Sequence, residues 1–402
     1  MKSVIKNIRF ILVMGVALLF NIRCRQPYVL PVSATNSHYL VVEGVIDNNP
    51  VIKLSRTVRL NDTVSTKTEL NAIVSIEGQG PGGSSTFPLA DQHNGSYSSP
   101  AFLALNASYT YRLKIITDDG KIYTSDYVPV KNSPPIDSIN FEVKPDGLQV
   151  YSASHDPTNN TRYYRWDYNE TWMIHSKYGS NFEVASSPGD TTIVPRPAEH
   201  QIFTCWSSDA STTIYLNSSA KLSHDVILHN PIGFVSSGSE KLGIEYSIQV
   251  NQYALTSDAF NYWQNLKKNT EQLGSIFDAQ PSEIKGNIHA LNNVSEPVIG
   301  YVSAGTVSQT RIFIGNSQVP YYWFQQIKLP YDNCEVDSVF YKDPRDNNLN
   351  TVKNLYQGRI IPINAVTDPK TGSTGFSESF SYCVDCRFRG TNVRPSFWVD
   401  KF

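Results

Sequence analysis

The first 24 residues constrain this chain more than any other stretch, because they decide in which compartment the rest of it folds. Lys2, Lys6 and Arg9 form a basic head, and residues 10–20 are an unbroken apolar run. As a helix this run would be about 16 Å long, whereas the hydrocarbon core of a bilayer is about 30 Å thick. So short a run is typical of a cleaved export signal and not of a membrane span.

Cys24 follows the apolar run closely, in the position of the acylated cysteine of a bacterial lipoprotein. We therefore predict a signal peptide at residues 1–23 and a lipid anchor on Cys24. Arg23 departs from the usual pattern, which has a small residue before the acylated cysteine, so simple secretion is the alternative. Pro27 and Pro31 disfavour a helix in the following stretch, and we predict an extended tether over residues 24–37.

The charge balance after export excludes one class of partner. Cleavage before Cys24 removes Lys2, Lys6, Arg9 and Arg23, so the formal net charge goes from -2 to -6. Nucleic-acid binding needs a concentrated basic stripe, and a mildly acidic chain does not provide one. We therefore expect no nucleic-acid partner. The remaining length is sufficient for two or three domains with their own cores.

The remaining four cysteines predict disulfide bonds, since an even number in an exported chain indicates a cross-linked framework. They are Cys205, Cys334, Cys383 and Cys386, and three pairings are possible. The spacing of Cys383 and Cys386 also occurs in redox dithiols and in zinc sites. However, no helix start follows this pair, and Cys205 and Cys334 each stand alone. Two structural bridges are therefore the favoured interpretation.

Short runs rich in Tyr, Phe and β-branched residues favour strands throughout the chain. The clearest hairpin joins residues 109–116 to residues 121–125, because an Asp-Gly pair between alternating runs supplies the backbone conformation of a tight turn. Strands at this spacing predict an immunoglobulin-like β-sandwich over residues 38–131. Pro134 and Pro135 mark a junction, and we predict a larger β-rich domain over residues 132–402.

One segment breaks this β pattern. Residues 257–273 predict a helix, capped by Thr256 or Ser257 and ended by Gly274, with an apolar face on one side. By contrast, residues 176–199 contain three prolines and two glycines and predict a loop. The expected fold class is therefore mainly β, with an N-terminal sandwich followed by a larger β-rich domain that carries one prominent helix.

No stretch provides a strong catalytic or metal motif. Residues 78–83 match a glycine-rich phosphate loop, but no helix start follows, so we predict a flexible strand connection. His224 and His229 are five residues apart and would face opposite sides of a strand. Residues 343–348 predict a turn. We expect no catalytic residue, no metal and no cofactor.

A set of aromatic residues offers a weaker possibility of ligand binding. Tyr163, Tyr164, Trp166 and Trp172 could stack on a ligand, although alternation along a strand would bury half of them. Packing between sheets is the favoured interpretation of these side chains. The sequence identifies no ligand.

Several short motifs, in order along the chain, carry a family resemblance. They are residues 40–44, 134–139, 163–166, 205–206, 259–263, 274–278, 280–282, 286–287, 300–301, 383–387, 390–392 and 395–398. With them the chain resembles the Bacteroidota lipoproteins grouped under a domain of unknown function. The resemblance implies an outer-membrane lipoprotein, often encoded beside a TonB-dependent receptor, and it supplies no catalytic residue. Arg25 and Gln26 stand where surface-exported lipoproteins have acidic residues, so the cell surface and the periplasmic face both stay open.

The leading hypothesis is a non-enzymatic outer-membrane lipoprotein that assists a TonB-dependent barrel in nutrient capture or uptake. The alternative is a structural or assembly lipoprotein of the envelope without a small ligand. A surface hydrolase of glycans or peptides is a third hypothesis, which would require converging carboxylates or a nucleophile with its base. The sequence leaves the ligand, the partner, the cysteine pairing and the oligomeric state open.

Overall fold

The computed structural model describes residues 38–58, 67–187, 190–271, 284–331, 333–357 and 359–401. Three predictions therefore lie outside the described residues: the signal peptide, the anchor at Cys24 and the tether. The last two residues of the predicted helix and Gly274, its predicted end, also lie outside the described residues. The described residues from Tyr39 onward form one compact unit.

An eleven-stranded sheet is built mainly from the first part of the chain. Its main path runs in the order β1-β2-β6-β5-β4-β7-β8-β19, while β3 pairs with β2, and β9 pairs with both β7 and β20. The strands are β1 (Leu40–Glu43), β2 (Val51–Arg56), β3 (Lys67–Thr68), β4 (Ile73–Gly80), β5 (Gly83–Asp91), β6 (Ser96–Ser98), β7 (Thr110–Ile116), β8 (Ile122–Ser125), β9 (Val128–Lys131), β19 (Ile288–Ala290) and β20 (Ala304–Gly305).

Alternation of apolar and polar residues explains why these strands bury one face. Along β7, Tyr111, Leu113 and Ile115 are buried, and the residues between them are half-buried. The predicted hairpin is confirmed: β7 pairs with β8, and Gly120 at its turn has a φ of 80°. The glycine-rich stretch at residues 78–83 covers the end of β4, a turn at Pro81 and Gly82, and the start of β5, so it connects two paired strands as expected.

Four smaller sheets follow in the rest of the chain. They are a three-stranded sheet β10-β11-β17, a five-stranded sheet in which β12 pairs with β15, β16 and β18, and β18 pairs with β21, a two-stranded sheet β13-β14, and a three-stranded sheet β22-β24-β23. Their bounds are β10 (Ile136–Lys144), β11 (Gly147–Asp156), β12 (Tyr163–His175), β13 (Phe182–Ser187), β14 (Asp190–Pro195), β15 (Thr204–Ala210), β16 (Tyr215–Ser218), β17 (Asp225–Ser236), β18 (Glu245–Ala254), β21 (Val307–Gly315), β22 (Asp337–Phe340), β23 (Ile360–Thr367) and β24 (Thr374–Phe380).

The helices are few. Helix α1 spans Ser257–Glu271, which matches the described part of the predicted helix, and α2 is a single turn at Ser381–Val384. Short 3₁₀ turns lie at Ala198–His200, Glu240–Leu242, Asn316–Gln318, Tyr321–Gln326, Val352–Gln357 and Cys386–Phe388. None of the helices in the described ranges is long and apolar enough to cross a membrane.

One predicted loop is wrong. Within residues 176–199, β13 and β14 pair as an antiparallel hairpin, with Phe182 opposite Pro195. Phe182 and Val184 pack against a small core that contains Val339 and Phe376. Pro195 is compatible with this arrangement because it is the last residue of β14, an edge strand of a two-stranded sheet, where a missing N–H costs little.

The expected fold class is confirmed, since the chain is mainly β with sandwich-like sheets and one long helix. The structure adds that a late segment returns to the first sheet. Strand β19 pairs with β8, and β20 pairs in parallel with β9. Ile288, Val298 and Val302 are buried in the first core together with Leu40 and Ile76. The domain boundaries at residues 131 and 132 stay a prediction.

Candidate functional site

An open cleft of about 620 Å³ lies between the β1–β2 hairpin and helix α1. We call it the β1–α1 cleft. Ligand sites in proteins commonly have volumes of about 300–1,000 Å³, and this cleft falls within that range. Its lining residues are Val41, Val42, Glu43, Gly44, Val45, Asp47, Asn49, Val51, Lys53, Arg165, Asp167, Ser211, Tyr253, Tyr262, Trp263, Leu266, Ile299, Gly300 and Tyr301.

Close backbone contact between β1 and residues 299–301 forms one side of the cleft. The N–H of Val42 donates to the carbonyl of Ile299 at 2.8 Å, and the N–H of Ile299 donates to the carbonyl of Leu40 at 2.9 Å. Gly300 has a φ of 143°, and a Cβ there would lie 2.2 Å from the carbonyl oxygen of Val42. Only glycine allows the two segments to approach this closely.

Helix α1 closes the opposite side. Ala259 and Tyr262 are its buried residues, and the Tyr262 ring packs against Tyr301 with ring centroids 5.3 Å apart. Burial raises the pKa of Tyr262 to about 12. Val51 and Ile299 are 47% and 39% exposed, so apolar surface is open to a ligand. The walls are therefore partly aromatic and partly aliphatic.

A cation is held between two aromatic rings at the base of the cleft. The Arg165 guanidinium lies 4.2 Å from the ring centroid of Tyr253 and 4.4 Å from that of Trp263. Its Nη2 lies 3.3 Å from the Asp167 carboxylate, which also accepts a hydrogen bond of 2.7 Å from Asn251 Nδ2. Arg165 and Asp167 therefore neutralise each other.

Three other charged residues line the cleft on the β1–β2 side. Glu43 and Lys53 are both exposed and are cross-strand neighbours in the β1–β2 pair. Asp47 is half-buried, and its Oδ1 accepts a hydrogen bond of 2.9 Å from the N–H of Asn49. Burial raises the pKa of the Asp47 carboxyl, and hydrogen bonds from backbone N–H groups offset only part of this rise. In the part of the chain that the structure describes, none of the three makes an ion pair within 4.0 Å.

A second cavity, of about 630 Å³, lies beside the cross-linked C-terminal segment. Its most prominent charged group, Arg389, donates to Glu240 at 2.6 Å, to the Tyr331 hydroxyl at 2.6 Å and to the His175 carbonyl at 2.9 Å. Lys177 Nζ donates to two backbone carbonyls. Because protein groups already occupy these donors, we regard the β1–α1 cleft as the better candidate site.

The four predicted disulfide cysteines are all bonded. Cys205 pairs with Cys386 and Cys334 pairs with Cys383, which selects one of the three pairings that the sequence left open. Cys383 and Cys386 are therefore not bonded to each other, as a redox dithiol would be. Both bridges tie the segment around α2 to earlier parts of the chain, across 49 and 181 residues.

The aromatic residues considered for ligand stacking are mostly core residues. Tyr164 and Trp166 are at most 1% exposed and Trp172 is 8% exposed. The Tyr164 hydroxyl donates to Asp225 at 2.8 Å, and Trp166 Nε1 donates to Gln252 at 3.0 Å. Tyr163 packs on Phe260 of α1. This arrangement confirms the packing interpretation.

In the histidine pair, His229 is engaged by an aromatic ring and a carboxylate. His229 stacks on Tyr151 with ring centroids 3.7 Å apart, and its Nε2 lies 3.2 Å from Glu142. No group of three or more His, Cys, Asp or Glu side chains suited to a metal was found within the described ranges. Residues 343–348 form the expected turn, in which Asp343 accepts hydrogen bonds from Arg345.

The cleft itself was not predicted, because its residues come from distant parts of the sequence. Glu43, Asp47, Tyr253 and Tyr301 carry no local pattern that indicates binding. A usable signal was nevertheless present. Four stretches that carry the family resemblance, residues 40–44, 163–166, 259–263 and 300–301, all contribute lining residues to this one cleft.

Fold and site together define a mainly β protein, cross-linked by disulfides, with an open cleft of mixed polarity between a β-hairpin and helix α1. The family model described as Domain of unknown function (DUF4249) matches residues 25–311, and the chain belongs to this family. The match includes every residue that lines the cleft and ends before Cys334, Cys383 and Cys386. No curated protein matches the chain.

Proposed function

We propose that this protein is a non-enzymatic lipoprotein of the bacterial outer membrane, anchored through Cys24, that assists a TonB-dependent transporter in nutrient capture or uptake. The observation that carries the proposal is the pairing of the cysteines. The chain has five cysteines, and the two bridges use four of them. The remaining cysteine, Cys24, takes part in neither bridge.

The bridges favour an exported protein, because disulfides persist in oxidising compartments such as the periplasm and the cell surface. The cysteine that remains is the one next to the apolar leader, where acylation would use its sulfur. Three acyl chains, at about 0.8 kcal/mol per buried CH₂, would make the anchoring effectively permanent. A tethered protein then meets a barrel in the same membrane at high effective concentration, so a weak interface suffices.

The β1–α1 cleft favours a capture role over a purely structural one, since it offers unpaired charges and exposed apolar surface to a small ligand. The family resemblance implies a location in the outer membrane, but it identifies no biochemical activity. The alternative, an assembly lipoprotein without a small ligand, does not explain why the protein has an open cleft of this size.

Thiol counting tests the anchor. The mature protein, denatured without reduction, should react with no maleimide, because acylation blocks Cys24; after reduction four thiols should react. Mass spectrometry of the N-terminus should show acylated Cys24.

Cys24→Ser should leave the membrane fraction, whereas Arg23→Ala should be processed at least as efficiently, since a small residue suits the cleavage site. One free thiol before reduction, or a membrane-bound Cys24→Ser variant, would contradict the anchor.

Affinity purification tests the partner. The tagged wild-type protein should recover a TonB-dependent barrel from solubilised outer membranes, and Cys24→Ser should recover much less of it, because tethering no longer raises the effective concentration. Recovery of assembly factors or peptidoglycan instead of a barrel would favour the structural alternative.

A further inference from the structure

The β1–α1 cleft has more negative than positive charge left unpaired. Of its five charged side chains, Arg165 and Asp167 neutralise each other at 3.3 Å. Glu43, Asp47 and Lys53 make no ion pair in the described part of the chain. Two carboxylates against one ammonium leave one negative charge for which the protein provides no partner there.

Asp47 is the most constrained of these groups. It lies in the half-buried bend after β1, and its carboxylate accepts a backbone hydrogen bond from Asn49, with no cation within 4.0 Å in the described part of the chain. Burial of an unpaired carboxylate is unfavourable unless something compensates its charge. A cation brought by a ligand would supply the missing interaction within the cleft that Asp47 lines.

The aromatic walls fit a cation with an apolar body better than a sugar. A stacked sugar ring needs an open aromatic face, and Trp263 has Arg165 over its ring at 4.4 Å and Tyr262 at its edge at 5.6 Å. Tyr262 itself is only 6% exposed. The most exposed apolar side chains of the cleft are aliphatic, Val51 and Ile299, and they suit an alkyl chain or an apolar side chain.

We infer that the β1–α1 cleft binds a small ligand through a primary ammonium group, which pairs with Asp47 and Glu43 while an apolar body packs on Val51 and Ile299. The ammonium could belong to the N-terminus of a short peptide or to an alkylamine. The inference deepens the proposed capture role by naming the ligand's chemistry, and it rests on that role for its biological meaning only.

Calorimetry on the full mature protein in detergent tests the inference. The probes are the tripeptide Leu-Gly-Gly, its N-acetylated form, pentylamine and the neutral trisaccharide maltotriose. We expect Leu-Gly-Gly to bind and N-acetylation to weaken binding by at least about tenfold, because the charge-assisted hydrogen bonds are lost. Pentylamine binding as tightly as the peptide would identify a general amine site, whereas peptide binding alone would identify a peptide site; both support the inference.

Matched variants locate the site. Asp47→Asn should weaken the binding of Leu-Gly-Gly by about tenfold or more, and Glu43→Gln should weaken it less because Glu43 is exposed. Lys53→Met should leave binding unchanged or tighten it, since a repulsive charge is removed. Asp118→Asn, at the exposed β7–β8 turn, should have no effect.

Equal binding of the acetylated peptide, binding of maltotriose alone, or no binding of any probe would overturn the inference. So would weaker binding in Lys53→Met, which would indicate recognition of an anion. These failures are distinct from a failure of the proposed function. A protein that is anchored and recovers a barrel but binds no amine refutes the ligand class only, whereas amine binding by a protein without an acylated Cys24 refutes the anchor only.

Discussion

The first core and the C-terminal segment achieve stability in different ways. Among the described residues, the first core contains 21 buried apolar side chains, from residues 40–128 and 288–304, and its strands belong to one sheet. The C-terminal segment around Cys334 and Cys383 has two cores of six and four buried residues. Small cores rarely hold a fold alone. The Cys334–Cys383 bridge lies within this segment, and the Cys205–Cys386 bridge ties it to β15. Cross-links therefore compensate for a small apolar core.

The two regions also treat their carboxylates differently. In the C-terminal segment the same Asp-x-Arg arrangement occurs twice: Asp343 accepts from the backbone N–H and guanidinium of Arg345, and Asp385 accepts from those of Arg387. In the β1–α1 cleft Asp167 pairs with Arg165, whereas Asp47 and Glu43 have no cation within 4.0 Å among the described residues. The carboxylates that hold the two turns in place are therefore paired locally, and two of the three cleft carboxylates are not.

Removing a disulfide should give the largest effect. Replacing Cys334 and Cys383 together by Ala should lower the free energy of unfolding of the C-terminal segment by roughly 2–5 kcal/mol, because the cross-link no longer restricts the unfolded chain. Hydrogen exchange should rise in β22, β23 and β24 and stay unchanged in β4 and β7. Equal loss of protection in the first core would mean that the two regions unfold as one unit.

Adding a single methyl group beside the cleft should lower the free energy of unfolding by a similar or smaller amount than removing the disulfide. Gly300→Ala should destabilise the protein by about 3 kcal/mol, because alanine is strained at a φ of 143° and its Cβ would meet the carbonyl oxygen of Val42. Gly372→Ala is the control: its φ is 73° and nothing lies within 4 Å of its Cβ, so only the backbone strain of about 1 kcal/mol applies. If denaturant unfolding gave the same loss of stability for both variants, the backbone of β1 and residues 299–301 would be able to move apart at little energetic cost.

The elements that could be predicted from the sequence are those whose formation depends on residues close together in the chain. Alternation located β7 and β12, and capping with an apolar face located α1 to within a few residues. Sequence reasoning failed at β13 and β14, where Pro188, Gly189 and Pro195 masked a hairpin that packs against Val339 and Phe376. Disulfide pairing and the cleft depend on contacts between residues far apart in sequence. No local sequence pattern indicates such contacts. The only indication of the cleft was that several of the family motifs contribute residues to it.

The smallest effect, and the sharpest contrast between the two kinds of carboxylate, should appear in the pH dependence of stability. Hydrogen bonds from Arg345 lower the pKa of Asp343 from 3.8 to about 2. Because the folded pKa is depressed, Asp343 stabilises the fold fully above pH 3.8, and this contribution is lost as the pH falls toward about 2. Asp343→Asn should therefore lower the Tm at neutral pH, and its difference from wild type should shrink through that window.

Asp47 has the opposite sign, because burial raises its pKa. The folded state then binds the proton more tightly than the unfolded state, so this residue contributes more stability as the pH falls through its folded pKa. Asp47→Asn should raise the Tm slightly at neutral pH, and the gain should vanish in acid. Tm curves from pH 7 down to about 2, with Asp118→Asn as the control, measure both differences. If the two variants changed Tm in the same direction at neutral pH, the distinction between paired structural carboxylates and unpaired cleft carboxylates would be wrong.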